Sequence, residues 1–330
     1  MIKNNNLDWK NITPTGKDKR ITKEDVVNHM NKLKSSSKVL NVNNLHDKKE
    51  QMNRELNVDK NLGKCETSNN SSYIDGEVVK IFGIKKEMTK SMTISNSIPS
   101  FLYSDEFNVD NLVSLRKETN ELFEKDVKFS YMPYIIKATS LALNDYPELN
   151  SVINTNVDQE GLIFEYTIMK SHNISIAIDS KNGLIVPNIK EVNKKSVREI
   201  QKELNILRDN ANNGKLSKQD FLNGSFSISN IGNIGGKQLN PIIMSPQVCI
   251  ISLSKIHDSF TVVNKKELND IDLKKKVVFT NPDNNMSVTF NKSINFCISA
   301  DHRIIDGAYV ARFSEKLRHY IENPLKILLG

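Results

Sequence analysis

The feature that most constrains this chain is the contrast between its first 86 residues and the 244 residues that follow. Residues 33–72 are rich in Lys, Asn, Ser, Asp and Glu and contain few aromatic side chains. Such a segment buries too little apolar surface to offset the entropy that ordering it would cost. The sequence therefore predicts a flexible linker over residues 33–86, followed by a core whose apolar residues begin near residue 87.

The net charge of +7 follows the same division. Residues 1–86 contain 17 Lys and Arg against 11 Asp and Glu, whereas the rest of the chain contains 29 against 28. The lysines are scattered among asparagines and do not cluster with arginine or aromatic side chains, as a nucleic-acid-binding face requires. We expect no nucleic-acid partner. The absence of a run of about 18 apolar residues argues against a membrane span.

Apolar spacing after residue 87 predicts both helices and strands. The predicted helices cover residues 108–124, 133–145, 195–212 and 307–322. The predicted strands cover residues 172–179, 183–189, 225–231, 248–256 and 294–300. These elements mix without strict alternation, which is typical of an α/β fold with a mixed sheet. The polar residues 257–285 predict a long hairpin or surface insertion.

The cysteines exclude two kinds of small scaffold. Cys65, Cys249 and Cys297 include no close pair, so neither a disulfide framework nor a Cys-x-x-Cys zinc site is expected. Cys249 and Cys297 lie in predicted strands, where buried free thiols are the usual interpretation. No metal site is predicted.

The sharpest local pattern is SADHRIIDGAYVARF at residues 299–313. A predicted strand ends at Ala300, His302 follows, and a predicted helix begins near Gly307 with Asp306 at its N-cap position. A histidine beside a sheet end and a helix N-terminus lies where ligands often bind. On spacing alone, an ordinary loop histidine and a simple helix cap remain the alternative.

A second pattern is GSFSISNIGNIGGK at residues 224–237. A serine-rich strand ends here in a turn that contains Gly232, Gly235 and Gly236. Small hydroxyl groups at a strand end can donate hydrogen bonds to an oxyanion or a phosphate. The glycine spacing is not a dinucleotide-binding fingerprint, because no helical pattern follows it. A turn that needs glycine is the alternative.

Several segments together resemble one family. LIVPNI (184–189), GSFSISNIG (224–232), DHRIIDG (301–307) and RFSEKLRHYIENP (312–324) resemble the catalytic domain of the dihydrolipoamide acyltransferases, the core subunits of 2-oxo acid dehydrogenase complexes. The resemblance covers residues 87–330. It implies an α/β, chloramphenicol-acetyltransferase-like catalytic domain with a mixed sheet, and an enzyme that transfers acyl groups from dihydrolipoamide to CoA.

The match within the family is to the branched-chain type. KSMTISNSIPSFLYSDEFNVDNLVSLRKE (90–118) and SNIGNIGGKQLNPIIMSPQV (229–248) resemble that type. The pyruvate type shares the SNIG and DHR motifs. Transfer of an acetyl group in a pyruvate complex is therefore the alternative substrate assignment.

The segment NITPTGKDKRITKEDVVNHM resembles the second half of the family's peripheral subunit-binding domain, with Pro14 and Lys19 in place of two glycines. We expect residues 1–32 to be a partial copy of that domain that is too small to fold alone. If this segment still binds a partner, Lys17, Lys19 and Arg20 would pair with acidic side chains. The family's lipoyl-lysine motif does not occur, so we expect lipoate on a lipoyl domain absent from this chain.

The resemblance also implies site residues. His302 would be the general base for the CoA thiol, Ser229 the donor to the oxyanion, and Asp306 the acidic residue that holds the histidine loop. The implied CoA contacts are Arg116, Ser130, Asp179, Arg208, Ser229, Asn230 and Ser254. Arginine suits the CoA phosphates because a guanidinium binds them bidentately. Ser254 stands where the family has glycine, and Ser100 where it has histidine.

The implied assembly is a homotrimer with His302 from one chain and Ser229 from the next, built into a 24-mer core. The implied partners are the 2-oxo acid decarboxylase, the dihydrolipoyl dehydrogenase and the lipoyl domain, in the mitochondrial matrix. Two other functions remain open: a non-catalytic core scaffold, and an acetyltransferase for a small hydroxylated molecule. The presence of His302, Asp306 and Ser229 together favours the acyltransferase.

Overall fold

The computed structural model describes residues 22, 25–26, 77–123, 127–154, 162–181, 183–264, 277–281 and 286–329. Several predictions from the sequence fall outside these residues. They concern the linker up to residue 76, most of the partial subunit-binding segment with Lys17, Lys19 and Arg20, and Cys65.

Contacts divide the chain into two units, Met1–Glu77 and Val78–Gly330. In the first unit, the Thr22 amide donates a hydrogen bond of 2.8 Å to the Asp25 carboxylate, and Val26 is buried. The second unit contains the helices and strands that follow.

Six α-helices of the second unit are described. They are α1 (Gly83–Ser95), α2 (Asp110–Leu122), α3 (Met132–Asp145), α4 (Val197–Asn212), α5 (Gly307–Glu322) and α6 (Leu325–Leu329). The four predicted helices are confirmed as α2 to α5. Helix α4 begins with a capping box, in which the Ser196 hydroxyl accepts from the Glu199 amide at 3.3 Å and the Glu199 carboxylate accepts from the Ser196 amide at 2.8 Å.

Helix α1 was not predicted, and it begins inside the segment assigned to the linker. Ser95 is the one buried residue of this fully described helix, whereas Ile84, Met88 and Ile94 are exposed. The helix therefore buries no apolar stripe in this chain, and its sequence carries no strong amphipathic signal.

The strands of the described residues are β1 (Ser100–Asn108), β2 (Ser151–Ile153), β3 (Tyr166–Ile168), β4 (Ile174–Ile176), β5 (Ile178–Ser180), β6 (Gly183–Ile185), β7 (Asn188–Ile189), β8 (Phe226–Asn230), β9 (Cys249–Leu253), β10 (His257–Asn264), β11 (Val277–Asn281) and β12 (Met286–Asp301). Cys249 and Cys297 are buried free thiols, as predicted.

Two predicted strands are each divided in the structure. The segment 172–179 forms β4 and β5, and the segment 183–189 forms β6 and β7. Strands β5 and β6 pair with each other in a separate hairpin, whereas β4 and β7 pair in the main sheet. Pro187 interrupts the second segment because it has no amide hydrogen to donate, and its carbonyl accepts from the Ile176 amide at 2.8 Å.

Eight of the described strands form one mixed sheet in the order β1-β12-β9-β8-β4-β7, with β10 and β11 also pairing with β12. Strands β4, β8 and β9 are parallel neighbours, whereas β12 is antiparallel to both β1 and β9. The mixed sheet expected from the sequence is thus confirmed.

Strand β12 is longer than predicted, because it begins at Met286 and not at residue 294. Its second half pairs with β1 and β9, and its first half pairs with β10 and β11. The segment 257–285 therefore contributes two strands beside β12, where a hairpin or surface insertion was predicted. The first residues of β12 alternate Met286, Val288 and Phe290 with polar residues, which is a strand signal that the prediction missed.

The main core lies between one face of the sheet and the helices. Phe226 of β8 faces Phe313 of α5 with ring centroids 6.3 Å apart, and Phe107 of β1 stacks on Phe296 of β12 at 4.3 Å. All four rings are fully buried. Burial of this apolar surface holds α5 against the sheet.

The opposite face of the sheet carries short hydroxyl side chains, because successive residues of a strand point to opposite faces. Residues 237–247, here called the crossing segment, lie over this face. The Ser252 hydroxyl donates to the Leu239 carbonyl at 2.6 Å, and the Ser299 hydroxyl donates to the Asn240 side-chain oxygen at 3.1 Å. Hydrogen bonds, and not apolar packing alone, hold this segment in place.

The core packing predicts that two replacements of phenylalanine by alanine lower the free energy of unfolding by different amounts. Phe313→Ala should lower the free energy of unfolding by about 3–5 kcal/mol, because it leaves a cavity between α5 and the sheet. Phe260→Ala is the matched control: Phe260 is 65% exposed, so its loss should cost less than about 1 kcal/mol. Urea denaturation measures both, and equal costs would contradict the placement of the core.

Candidate active site

The predicted strand-to-helix junction is present at His302. Strand β12 ends at Asp301, α5 begins at Gly307, and His302 is exposed between them. The His302 amide donates to the Pro99 carbonyl at 2.9 Å. The His302 imidazole packs against the Phe101 ring, with centroids 4.7 Å apart and planes tilted by 55°. Pro99, just before β1, therefore holds the backbone of His302, and Phe101 of β1 holds its side chain.

An ion pair between the exposed Arg303 and a buried carboxylate fixes the turn on the other side of the histidine. The Asp301 carboxylate is fully buried and accepts two hydrogen bonds from the Arg303 guanidinium, at 2.6 and 2.9 Å. These hydrogen bonds raise the pKa of Arg303 above its usual value. The Asp301 carbonyl also accepts from the Ile305 amide at 2.9 Å. The residues on either side of His302 are thus bonded to each other.

Asp306 is the N-cap of α5, as the sequence predicts. Its carboxylate accepts a hydrogen bond of 2.7 Å from the Tyr309 amide. A carboxylate at this position satisfies one of the free amides of the first turn and interacts favourably with the helix dipole. Asp306 can therefore order the turn that carries His302 without taking part in proton transfer.

Ser229 and Asn230 are the last residues of β8. The Asn230 side chain is used within the chain: its oxygen accepts from the Gly232 amide at 2.7 Å, and its nitrogen donates to the Met132 sulfur at 3.2 Å. A side chain at Gly232 would lie 2.5 Å from the Ser254 carbonyl oxygen. The glycine turn predicted at this strand end is therefore required by a close approach of two backbone segments.

The sheet register separates Ser229 from His302 within one chain. Ser229 is paired with Ser252 of β9, which is paired with Cys297 of β12. His302 follows Cys297 by five residues, or roughly 16 Å along the strand, and two strand spacings add about 10 Å across the sheet. The structure does not bring these two predicted catalytic residues together in a single chain.

Two of the predicted CoA contacts lie near each other, around the start of α3. The Arg116 Nε donates to the Phe129 carbonyl at 3.0 Å, and its guanidinium lies 4.5 Å from the centre of the Tyr131 ring. Both the amide and the hydroxyl of Ser130 donate to the Gln201 side-chain oxygen, at 2.8 and 3.0 Å. These contacts hold the segment between Phe129 and Tyr131 to both α2 and α4.

The remaining predicted contacts are distributed around this segment. Arg208 is exposed on α4, seven residues after Gln201 and so on the same helix face. Asp179 is exposed on β5. Ser254 is buried, and its hydroxyl accepts from the Asn295 amide at 2.9 Å and donates to the Lys255 carbonyl at 3.2 Å. The hydroxyl of Ser254 is thus occupied within the chain.

Sequence reasoning missed Phe101 and Gln201. Phe101 belongs to β1, which was not predicted although Phe101, Tyr103 and Phe107 alternate with other residues as a strand requires. Gln201 is 1% exposed on α4, next to the apolar Ile200. A polar side chain at a buried helical position is the signal that could have identified it.

No group of His, Cys, Asp and Glu side chains among the described residues could hold a metal ion. Within the same residues, no helix combines the length and the hydropathy that a membrane span needs.

The candidate site is thus a strand-end histidine beside a capped helix, on a mixed sheet. The structure resembles that of a probable dihydrolipoamide acetyltransferase from Listeria monocytogenes, with a TM-score of 0.62, 28% identity, and coverage of 76% of this chain and 96% of that chain. The family described as 2-oxoacid dehydrogenases acyltransferase (catalytic domain) matches residues 74–329. The chain therefore belongs to this acyltransferase family. A second family, the e3 binding domain, matches residues 1–27.

Two curated relatives are the lipoamide acyltransferase components of the mitochondrial branched-chain alpha-keto acid dehydrogenase complexes of Caenorhabditis elegans and Bos taurus. Each relative is 36% identical to this chain, and each alignment covers 98% of this chain. The chain spans 64% of the nematode protein and 61% of the bovine protein, less than two thirds of either.

The cap geometry predicts different effects for two replacements of Asp306. Asp306→Ala should lower the free energy of unfolding by about 1 kcal/mol, because the Tyr309 amide loses its acceptor. Asp306→Asn should cost less, since asparagine is also a good N-cap. Chemical denaturation of the two variants beside the wild type checks this, and equal losses would show that the charge and not the cap is what matters.

Proposed function

We propose that this protein transfers a branched-chain acyl group from dihydrolipoamide to CoA. The observation that carries the proposal is His302, exposed at the end of β12 and held by the Pro99 carbonyl and the Phe101 ring, in a member of this acyltransferase family. The names of the nematode and bovine relatives support the branched-chain substrate.

The chemistry requires a base. A thiol with a pKa near 8.5 is mostly protonated at neutral pH, and a histidine with a pKa near 6.5 is suited to accept its proton. In the proposed step, His302 takes the proton of the CoA thiol while the sulfur attacks the carbonyl carbon of the acyl-dihydrolipoamide. The carbonyl oxygen becomes an oxyanion, which accepts a hydrogen bond from the Ser229 hydroxyl. Collapse breaks the bond to dihydrolipoamide, whose sulfur receives the proton back from His302.

The positions of Ser229 and His302 support a site shared between chains. Their separation along the sheet register is too large for one substrate to meet both within a chain. In the proposed trimer, Ser229 of one protomer lies opposite His302 of its partner. Such a heterologous interface closes into a ring by rotation.

The proposed CoA-binding site uses arginine side chains around the start of α3. Arg116 and Arg208 would bind the phosphates, since guanidinium groups suit planar bidentate contacts. Ser130 and Asp179 would offer polar contacts beside them. The side chains of Asn230 and Ser254 are already bonded within the chain, so we assign them to positioning the strand ends and not to direct contact.

The proposed setting is a multienzyme complex in the mitochondrial matrix. Trimers would assemble into a 24-mer core that works with a 2-oxo acid decarboxylase, a dihydrolipoyl dehydrogenase and a lipoyl domain carrying lipoate. The match of residues 1–27 to the e3 binding domain supports docking of a partner enzyme at the N-terminal segment. The mitochondrial names of the relatives support the compartment.

The second candidate is the same chemistry with an acetyl group. The acetyltransferase name of the Listeria structure favours it. A difference of one or two methylene groups in a pocket changes binding by only about 1–3 kcal/mol, so small changes in the pocket decide between the two acyl groups.

The first test is acyl transfer to CoA from free isobutyryl-, isovaleryl-, acetyl- and succinyl-dihydrolipoamide. The branched donors should give the highest kcat/KM, and His302→Ala should reduce it by about 10²–10⁴-fold. A preference for acetyl or succinyl would keep the mechanism and change the substrate. No turnover by the folded wild-type assembly would leave the non-catalytic scaffold as the function.

A mixing experiment tests the shared site. Ser229→Ala alone should lower kcat by about 10²–10³-fold. When chains carrying Ser229→Ala and chains carrying His302→Ala are unfolded together and reassembled, about a quarter of the sites in a closed ring should receive both native side chains. Recovery of activity to that level supports the shared site. Recovery of none would mean that both residues act from the same chain.

A further inference from the structure

The imidazole of His302 contacts the Phe101 ring and, within the described part of the chain, takes part in no side-chain hydrogen bond. Two carboxylates lie on the same turn, but both are bonded elsewhere. The Asp301 carboxylate accepts from the guanidinium of Arg303 and also from its amide, at 3.1 Å. The Asp306 carboxylate accepts from the first turn of α5. Neither supplies the hydrogen bond that commonly orients a histidine base.

The Phe101 ring is close to both the imidazole and the start of the helix that follows it. The centroids of the two rings are 4.7 Å apart, within the range of favourable aromatic pairs. A β-carbon at Gly307, the first residue of α5, would lie 3.9 Å from the Cε2 atom of Phe101. The ring therefore fills space into which the imidazole could otherwise turn.

Strand β1 is bonded on two sides, and this fixes the place of Phe101. Along one edge, Phe101 is paired with Ala300 of β12. Four residues further along the same face of β1, the Asp105 carboxylate accepts from the Ser314 hydroxyl at 3.1 Å and from the Arg318 guanidinium, both on α5. The Phe101 ring would leave the histidine only if these contacts broke.

We propose that Phe101 is a positioning residue whose ring sets the orientation of the His302 imidazole. This inference rests on the proposed function and adds to it the group that orients the base. An unrestrained imidazole would populate about six arrangements, from three staggered positions of the first side-chain torsion and two of the second. Only one of them presents the same nitrogen in the same direction. The contact should therefore raise the rate of proton removal from the thiol by about three- to tenfold.

The test compares the kinetics of three variants of the full chain in acyl transfer. Phe101→Leu keeps an apolar side chain but removes the ring. It should lower kcat by about three- to tenfold and leave both KM values unchanged, because the contact acts on the base and not on either substrate. Phe101→Tyr keeps the ring and should retain most of the wild-type kcat. Tyr103→Leu is the matched control, since it removes a ring from the same face of β1, and it should change neither constant.

Crystal structures of the wild type and of Phe101→Leu give a second readout that does not depend on turnover. His302 should have one side-chain orientation in the wild type and several in the variant. Phe101 is only partly buried, so the variant should fold, and thermal denaturation verifies this. A wild type without acyl transfer would refute the proposed function, while the two structures would still decide whether Phe101 orients the imidazole.

Four results would overturn the inference. The first is the same single orientation of His302 in both structures. The second is a kcat of Phe101→Leu equal to that of the wild type. The third is an increase in KM alone, which would mean that Phe101 contacts a substrate. The fourth is an equal loss of kcat in Tyr103→Leu, which would mean that the packing of β1 as a whole is what matters.

Discussion

The ladder of backbone hydrogen bonds along β12 is the constraint on which the rest of the structure depends. Its last residue, Asp301, is paired with Ser100 of β1 on one edge, and its amide donates to the Val248 carbonyl on the other. Main-chain geometry therefore sets where His302 stands. The buried Asp301 carboxylate then fixes Arg303, and α5 begins six residues after Asp301 with its apolar stripe against the sheet. Strand, histidine and helix form one rigid unit.

Local patterns were read correctly from the sequence. Helix α5 has the predicted bounds because its start and its buried stripe are both encoded nearby, in the Asp306 cap and the spacing from Val310 to Ile321. Helix α1 lacks such a signal, whereas β1 and the first half of β12 carry an alternation of apolar residues that the prediction missed. Helix α1 buries no apolar stripe, and the first half of β12 is paired on both edges.

The same distinction applies to the candidate site. His302 and Asp306 were found because they lie four residues apart on one turn. The relation between Ser229 and His302 depends on pairing through β9, which no spacing along the chain encodes. The use of the Asn230 side chain within the fold was also hidden, because Met132 is 98 residues away from it. Sequence patterns identified candidate residues, whereas tertiary pairing determines which of them remain available to a ligand.

The two halves of β12 tolerate changes of chain length differently. Where β12 faces β1, the addition or removal of one residue would turn every following side chain to the other face of the sheet and move Phe101 away from the imidazole. The residues of β12 that pair with β10 and β11, Met286–Ser293, lie at the end of the strand away from His302. Insertions and deletions accumulating there would leave the His302 turn in place. In evolutionary terms, one continuous strand has a half whose length is fixed and a half whose length is free to vary.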